Sequence, residues 1–363
     1  MMNPVDRLDG WEALVLGGTG LIGAHAVRSL SRRGVKVRVL IRSSHTRRDV
    51  LDDVPGVRFI RGDLFSLSSL ESAMEGCHLF VHAAGPYPVS ARNRDHEIQR
   101  AHQSMTNILD AMRRNVAGEV RSAPLNTESI PDGLVRAVYV SSSTTIAPPG
   151  NGEPLQRMAN EDNLYEEPPK GPSYFAVKEA MERKARDAAR GEGLPIVIVN
   201  PSLVIGPYDT KPTTGQLVVS VARNRMPFLL HGNINVVTAK DVGEGIVLAA
   251  LRGEPGHRYI LGSENMTMDD LVRRIAMATG ARPPKLHLPV VLAKIFSYLT
   301  EGLSVLTPGR PPLFPLNGLH MLLKSQYLDA SRAREELGWN PSSVDLAITQ
   351  AVAFLRKEGR IWS

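Results

Sequence analysis

The sequence predicts an α/β chain built on a doubly wound parallel sheet, with a smaller, mostly helical lobe toward the C-terminus. Three observations predict it. Short apolar runs alternate with amphipathic ones up to Pro201, a glycine triplet separates the first such run from the first helix pattern, and the rhythm loosens beyond Pro201. Strands alternating with helices specify parallel pairing, because each right-handed crossover returns the chain to the same sheet with its helix covering a face.

The strand candidates, in order, are "EALVLGG", "VKVRVLIR", "VRFIRGD", "LFVHAA", "RAVYVSS" and "PIVIVNPS". Amphipathic runs such as Ile22 to Arg33 and Leu67 to Met74 lie between them. Asn115 to Leu134, rich in Pro, Gly and Ser, reads as a surface insertion before the strand around Val138. Beyond Pro201, helix patterns cover Ala239 to Gly253, Thr267 to Gly280, Leu288 to Leu306, Ser331 to Leu337 and Asp345 to Glu358, with a short strand at "RYILG". The expected division is a nucleotide-binding domain at 1–200 and 235–262 and a substrate lobe at 201–234 and 263–363.

With 363 residues, 42% hydrophobic and 22% charged, the chain suits one large domain and a smaller one. A formal charge of +6 mildly favours anionic ligands; with 5% aromatics and no basic arm, nucleic acid is not expected. The lone Cys77 excludes an internal disulfide. Neither a signal-like start nor an apolar run of membrane-spanning length is found, so a cytoplasmic protein is expected, with peripheral membrane association left open. It would act as a monomer or homodimer.

"LVLGGTGLIGAHAVRSL" places Gly17, Gly20 and Gly23 three apart, between a strand and a helix. Gly17 permits a tight turn, Gly20 lets a pyrophosphate approach the backbone, and Gly23 lets the helix pack against the strand. The N–H groups and positive end of that helix then hold phosphate. The next strand ends at Arg42, where a dinucleotide fold usually sets a carboxylate on the adenosine ribose. A guanidinium there pairs instead with a 2′-phosphate, so NADP(H) is the expected cofactor and NAD(H) the second choice. Ser43, Ser44 and Arg47 or Arg48 are candidate helpers.

"GPSYFAVKEAMERKA" puts Tyr174 and Lys178 one helical turn apart. A nearby ammonium stabilises a phenolate, which makes proton transfer by tyrosine practical near neutral pH. Upstream, "VYVSSSTTIA" ends a strand in Ser141, Ser142 and Ser143, where a hydroxyl could donate to a carbonyl oxygen as charge develops on it.

With these motifs the chain resembles the extended short-chain dehydrogenase/reductases. "GGTGLIG", "GDL" at Gly62 to Leu64, "HAAG" at His82 to Gly85, "VSSS", "YFAVK" and "NPSLVIGP" carry the resemblance over nearly the whole length. "VRVLIR", "HRYILGSENMTMDDL" and "DASRAREELGW" are similar to its dihydroflavonol-reductase-like and hydroxysteroid-dehydrogenase-like group. The resemblance implies a Rossmann fold and cofactor contacts along Gly17, Thr19, Gly20, Leu21, Ile22 and Gly23. It implies Asp63 and Leu64 near the adenine, Ala83, Ala84 and Gly85 beside the cofactor, and Pro201 and Ser202 near the nicotinamide. Lys178 would also bind the nicotinamide ribose, and Ser143 would be the catalytic hydroxyl, with Ser142 the alternate. One departure is Ala101, where the family often has an asparagine supporting the lysine through water; Asn107 or another water path is the expected substitute.

The expected activity is hydride transfer between NADP(H) and a ketone, aldehyde or alcohol, with catalytic residues Ser143, Tyr174 and Lys178. The alternatives are a nucleotide-sugar epimerase or dehydratase holding NAD tightly, and a non-catalytic NADP sensor. Dehydratases commonly carry acidic residues beside the serine, where this chain has Thr144 and Thr145. In the lobe, Val291, Leu292, Ile295, Phe296 and Leu299 form one helical stripe, read first as core and second as a lid over a hydrophobic substrate. Arg282 and Arg310 are the candidates for a sugar-nucleotide diphosphate, and Pro86 to Val89 for the pocket entrance. The ten histidines show no metal-ligand spacing, His96 and His102 included, and no metal is expected.

Overall fold

The computed structural model describes residues 7–42, 47–85, 94–117, 124–125, 127–149, 158–167, 169, 173–209, 214–284, 286–306 and 316–362. Seven strands form the main sheet: β1 (Glu12–Leu16), β2 (Lys36–Ile41), β3 (Val57–Arg61), β4 (Leu79–His82), β5 (Arg136–Val140), β6 (Ile196–Pro201) and, after two lobe strands, β9 (Arg258–Leu261). Their order is β3-β2-β1-β4-β5-β6-β9, and every pairing is parallel. The order reverses between β1 and β4, which opens a crevice at the carboxyl ends of the strands, the general place for a ligand in such a sheet.

Both faces are covered, which explains why β4, β5 and β6 are buried at every residue instead of alternating. On one face pack α1 (Leu21–Arg32) and α6 (Ala239–Arg252). On the other lie α2 (Leu67–Met74), α3 (Arg94–Asn115) and α4 (Ser173–Gly191). α3 is strongly polar, yet Ala101, Met105, Ile108, Leu109 and Met112 recur at helical spacing and are buried.

The lobe differs from expectation. It contains a second sheet, β10-β8-β7, made by β7 (Leu203–Ile205), β8 (Asn233–Thr238) and β10 (Glu264–Thr267). These strands have three to six residues, too few to write a periodic pattern. Around them pack α5 (Gly215–Ala222), α7 (Met268–Thr279) and α11 (Val344–Lys357), while α8 (Val290–Leu306) and α9 (Leu316–Leu323) form a separate pair. α10 (Ser331–Leu337) packs back on α6 and β9. The chain crosses from the small sheet to the large one at Thr238, the N-cap of α6, not at residue 235.

Two further expectations are corrected. The 115–134 segment is not purely a surface insertion: Val116 bridges Leu134, and buried Leu125 donates its N–H to Leu251 O at 2.7 Å. Its residues 118–123 and 126 lie outside the described residues. The α8 stripe is not core: Val291, Leu292, Ile295, Phe296 and Leu299 are exposed, and the helix buries Ala293 and Ser297. Small residues one turn apart let α8 approach its neighbours closely, so the larger apolar side chains face outward.

Candidate active site

The glycine loop joins the strand ends that form the crevice. Gly17 sits at φ 78, and a Cβ there would overlap the Ala83–Ala84 backbone. A Cβ on Gly23 would overlap Gly17 O, which packs the start of α1 against the loop. Gly20 is different. Its φ of −87 suits any residue, it is exposed as the N-cap of α1, and a Cβ there would meet nothing nearer than Gly17 O at 3.4 Å. Thr19, Leu21 and Ile22 line the same turn. Ala83 N donates to Leu16 O at 3.0 Å, and a Cβ on Gly85 would lie 3.4 Å from Lys178 Nζ. The loop, the end of β4 and the lysine therefore share one continuous surface.

Arg42 is exposed just past the end of β2 and makes no hydrogen bond or ion pair among the described residues. The proposed helpers separate. Arg47 is committed to Asp49 and Glu358, and Arg48 lies over the Phe59 ring at 5.4 Å, while Ser43 and Ser44 are outside the described residues. Asp63 follows β3, with its carboxylate accepting from Phe65 N at 3.1 Å. The carbonyl of Leu64 accepts from Asn107 Nδ2 at 3.2 Å. Ala101 is buried, with no polar atom on its side chain to offer.

At the end of β5 the chain enters a 3-10 turn, Ser143–Thr145. Ser142 caps it, its Oγ accepting from Thr144 N at 3.2 Å and Thr144 Oγ1 at 3.0 Å. The Ser143 hydroxyl has no hydrogen bond among the described residues, which distinguishes it from Ser142. Tyr174 lies in the first turn of α4 and is buried, edge-on to Phe175. Lys178, one turn on, reaches beneath β5 with Nζ 3.4 Å from Val140 O and 3.5 Å from Ser141 O. Burial lowers its pKa to about 8, opposed by the Glu182 carboxylate. His82, at the end of β4, stacks between Phe80 and Tyr139 and is buried; burial first, then the Lys178 charge, push its pKa down to about 3, so it is a neutral packed ring. Pro201 closes β6, and the buried Ser202 Oγ has no partner among the described residues.

Behind the serine turn lies a cluster that motif reading did not reveal. Glu182 Oε2 accepts from Thr145 Oγ1 and from Asn200 Nδ2, both at 2.6 Å, and Glu182 Oε1 lies 2.9 Å from Arg258 Nε. Arg258 also donates to Thr145 O at 2.8 Å and Glu161 O at 3.0 Å. Glu182 could have been suspected: it continues the Tyr174–Lys178 face by one more turn. Arg258 carries no such local signal.

Spacing along the sequence does not group the histidines, but the fold brings two of them together. His231 and His287 stack at 4.2 Å between ring centroids, and Asp269 joins them with all three donor atoms within 4.8 Å. They come from three separate segments, which no spacing rule detects.

Residues 13–262 match the model of the "NAD dependent epimerase/dehydratase family". The chain belongs to that family. As a member, it is 34% identical over 96% of its length to a Synechocystis protein named "Putative dihydroflavonol 4-reductase", covering 95% of that protein. It is 31% identical over 96% of its length to "Sterol demethylase protein B" of Methylococcus capsulatus, covering 99% of it. The solved structure of PA4631, titled a nucleoside-diphosphate-sugar epimerase from Pseudomonas aeruginosa, superposes with a TM-score of 0.73 at 26% identity, covering 97% of this chain and 99% of that one. The family is one of nicotinamide-dependent enzymes, and this member's loop fits such a cofactor. Gly20 answers no steric demand of the protein itself, so the open space above it suits a ligand's close approach. Among the described residues no helix is long and apolar enough to cross a membrane.

Proposed function

We propose that this family member is an extended-type, NADP(H)-dependent reductase that converts a ketone or aldehyde of a small apolar substrate to the alcohol, or runs the reverse. The observation that carries the reading is the position of Lys178. A partly buried ammonium one turn from Tyr174, held beneath the end of β5 just before the turn that carries Ser143, supplies the positive charge a phenolate needs.

The chain's own residues divide the work. The N–H groups at the start of α1 hold the pyrophosphate, and Arg42 pairs with the 2′-phosphate. Ala83, Ala84, Gly85, Pro201 and Ser202 bound the nicotinamide end, and Asp63 and Leu64 the adenine end. When bound, the nicotinamide supplies hydride to the carbonyl carbon in reduction and accepts it in oxidation. Ser143 Oγ donates to the carbonyl oxygen as its charge grows, Tyr174 Oη delivers the proton to that oxygen, and Lys178 holds the tyrosine in a state that can release it. The cofactor domain would take residues 1–200 and, beyond the lobe strand β8, 239–262, and the rest would form the substrate lobe. An apolar substrate is supported by the outward face of α8 and by the sterol named in one relative's title.

The likeness to a protein titled a sugar epimerase keeps one competing reading, a tightly held NAD recycled within each turnover. One experiment separates the two. The purified chain is assayed for consumption of added NADPH and NADH with a panel of alicyclic and aryl ketones, alongside Tyr174→Phe. NADPH consumption abolished by Tyr174→Phe, with dinucleotide binding retained, is expected. Stoichiometric NAD released on denaturation, with no turnover of added NADPH, would overturn the reductase reading.

A further inference from the structure

We propose that His231, Asp269 and His287 form a binding site for one divalent transition-metal ion of the zinc, cobalt or nickel type, outside the cofactor crevice. The donor set is two imidazole nitrogens and a carboxylate, which suits borderline-soft ions and leaves coordination positions for water. His287 Nε2 lies 2.5 Å from Asp269 Oδ1, and His231 Nδ1 lies 3.8 Å from Asp269 Oδ2. Metal bonds of about 2.0–2.2 Å would need these donors rearranged by roughly an ångström around a common centre. The side chains have room for it, being exposed at His231 and His287 and partly exposed at Asp269.

The backbone beneath them is already fixed. Leu229 N donates to Leu286 O at 2.8 Å and Leu288 N to Leu229 O at 2.9 Å, bracketing His287. Met268 N donates to Gly232 O at 2.9 Å, tying the residue after His231 to the residue before Asp269. Three donors on three segments, each next to a backbone hydrogen bond, form a clamp that a metal would complete at modest ordering cost. The two imidazole rings stack at 4.2 Å and 7°, which brings their edges together beside Asp269. Its structural effect would fall on the lobe. Phe228 and Leu288, beside the bridged Leu229 and His287, line an apolar groove of about 250 Å³ with Leu292, Ile295, Phe296 and Leu299. A metal at the clamp would hold the near wall of that groove in place.

The test uses the untagged full chain, titrated with zinc chloride by calorimetry and with cobalt chloride by visible absorption, with melting followed in zinc and in EDTA. One ion per chain, a cobalt d–d band, and a melting temperature raised by zinc and restored by EDTA are expected. His231→Gln should weaken zinc binding at least about tenfold, since even outer partners of metal ligands are worth that much. His231→Gln/His287→Gln should abolish both the stoichiometric site and the melting shift, while dinucleotide binding stays as in the parent. His231 is so exposed that its single variant keeps the fold in any case. No one-to-one binding by the parent chain, or binding of equal strength in the double variant, would overturn the proposal.

Discussion

Thr145 Oγ1 donates to Glu182 Oε2 at 2.6 Å, and both side chains are almost fully buried. This bond ties α4, which carries Tyr174 and Lys178, to the turn that carries Ser143. Asn200 in β6 and Arg258 in β9 complete the cluster, and β5, β6 and β9 are adjacent in the sheet. Glu182 thus acts as a positioning residue for the two halves of the candidate site.

Removing it has a defined cost. Glu182→Ala leaves Arg258 buried without its carboxylate, and a broken buried pair of this kind destabilises by about 3–5 kcal/mol. Urea denaturation should register that loss. Glu182→Gln, which keeps the Thr145 contact, should lose less stability. A stability unchanged in Glu182→Ala would refute the role of the cluster.

Lys178 predicts a pH dependence. Its pKa, lowered to about 8 by burial, lies below the usual lysine value near 10.4. Between those values the unfolded chain binds the extra proton, so this group's contribution makes the fold more stable as pH rises through the window. Activity should move the opposite way, falling above about pH 8 as the ammonium is lost. Lys178→Arg should move that limb upward in a pH–rate profile or remove activity outright; a residual activity with the parent's limb would exclude Lys178 as its source.

Arg42 predicts cofactor choice. Its guanidinium has no partner among the described residues, so it is available to a phosphate. A hydrogen bond to a charged group contributes about 1.5–3 kcal/mol, so Arg42→Asp should lower the NADPH-to-NADH ratio of kcat/KM by about tenfold or more. An unchanged ratio would assign selectivity elsewhere.

The outward face of α8 predicts a split between folding and substrate binding. Leu292→Ser and Leu299→Ser replace exposed side chains and should change stability by only about 0.5 kcal/mol. If the substrate's apolar body rests on this face, KM should rise for bulky apolar ketones and stay constant for small ones, with kcat little changed. Equal KM values for both classes would detach the face from substrate binding.

Several features were legible without coordinates because they are local. The parallel sheet follows from alternating apolar and amphipathic runs, the glycine loop from three residues between a strand and a helix, and the Tyr174–Lys178 pair from the helical repeat. Other expectations failed because they depended on orientation. Amphipathicity located a stripe on α8 but not which way it faces, and the buried Ala293 and Ser297 decide that by admitting close packing.

By itself the sequence determined the fold class, the glycine loop between β1 and α1 and the order of the candidate catalytic groups, since each depends on neighbours within a few turns of chain. Only the tertiary structure decided which distant groups meet. Thr145, Glu182, Asn200 and Arg258 converge because β5, β6 and β9 lie side by side under α4. His231, Asp269 and His287 converge because backbone hydrogen bonds join three otherwise unrelated segments. A side chain's partner depends on strand order and helix rotation, and both are set by burial of the whole core.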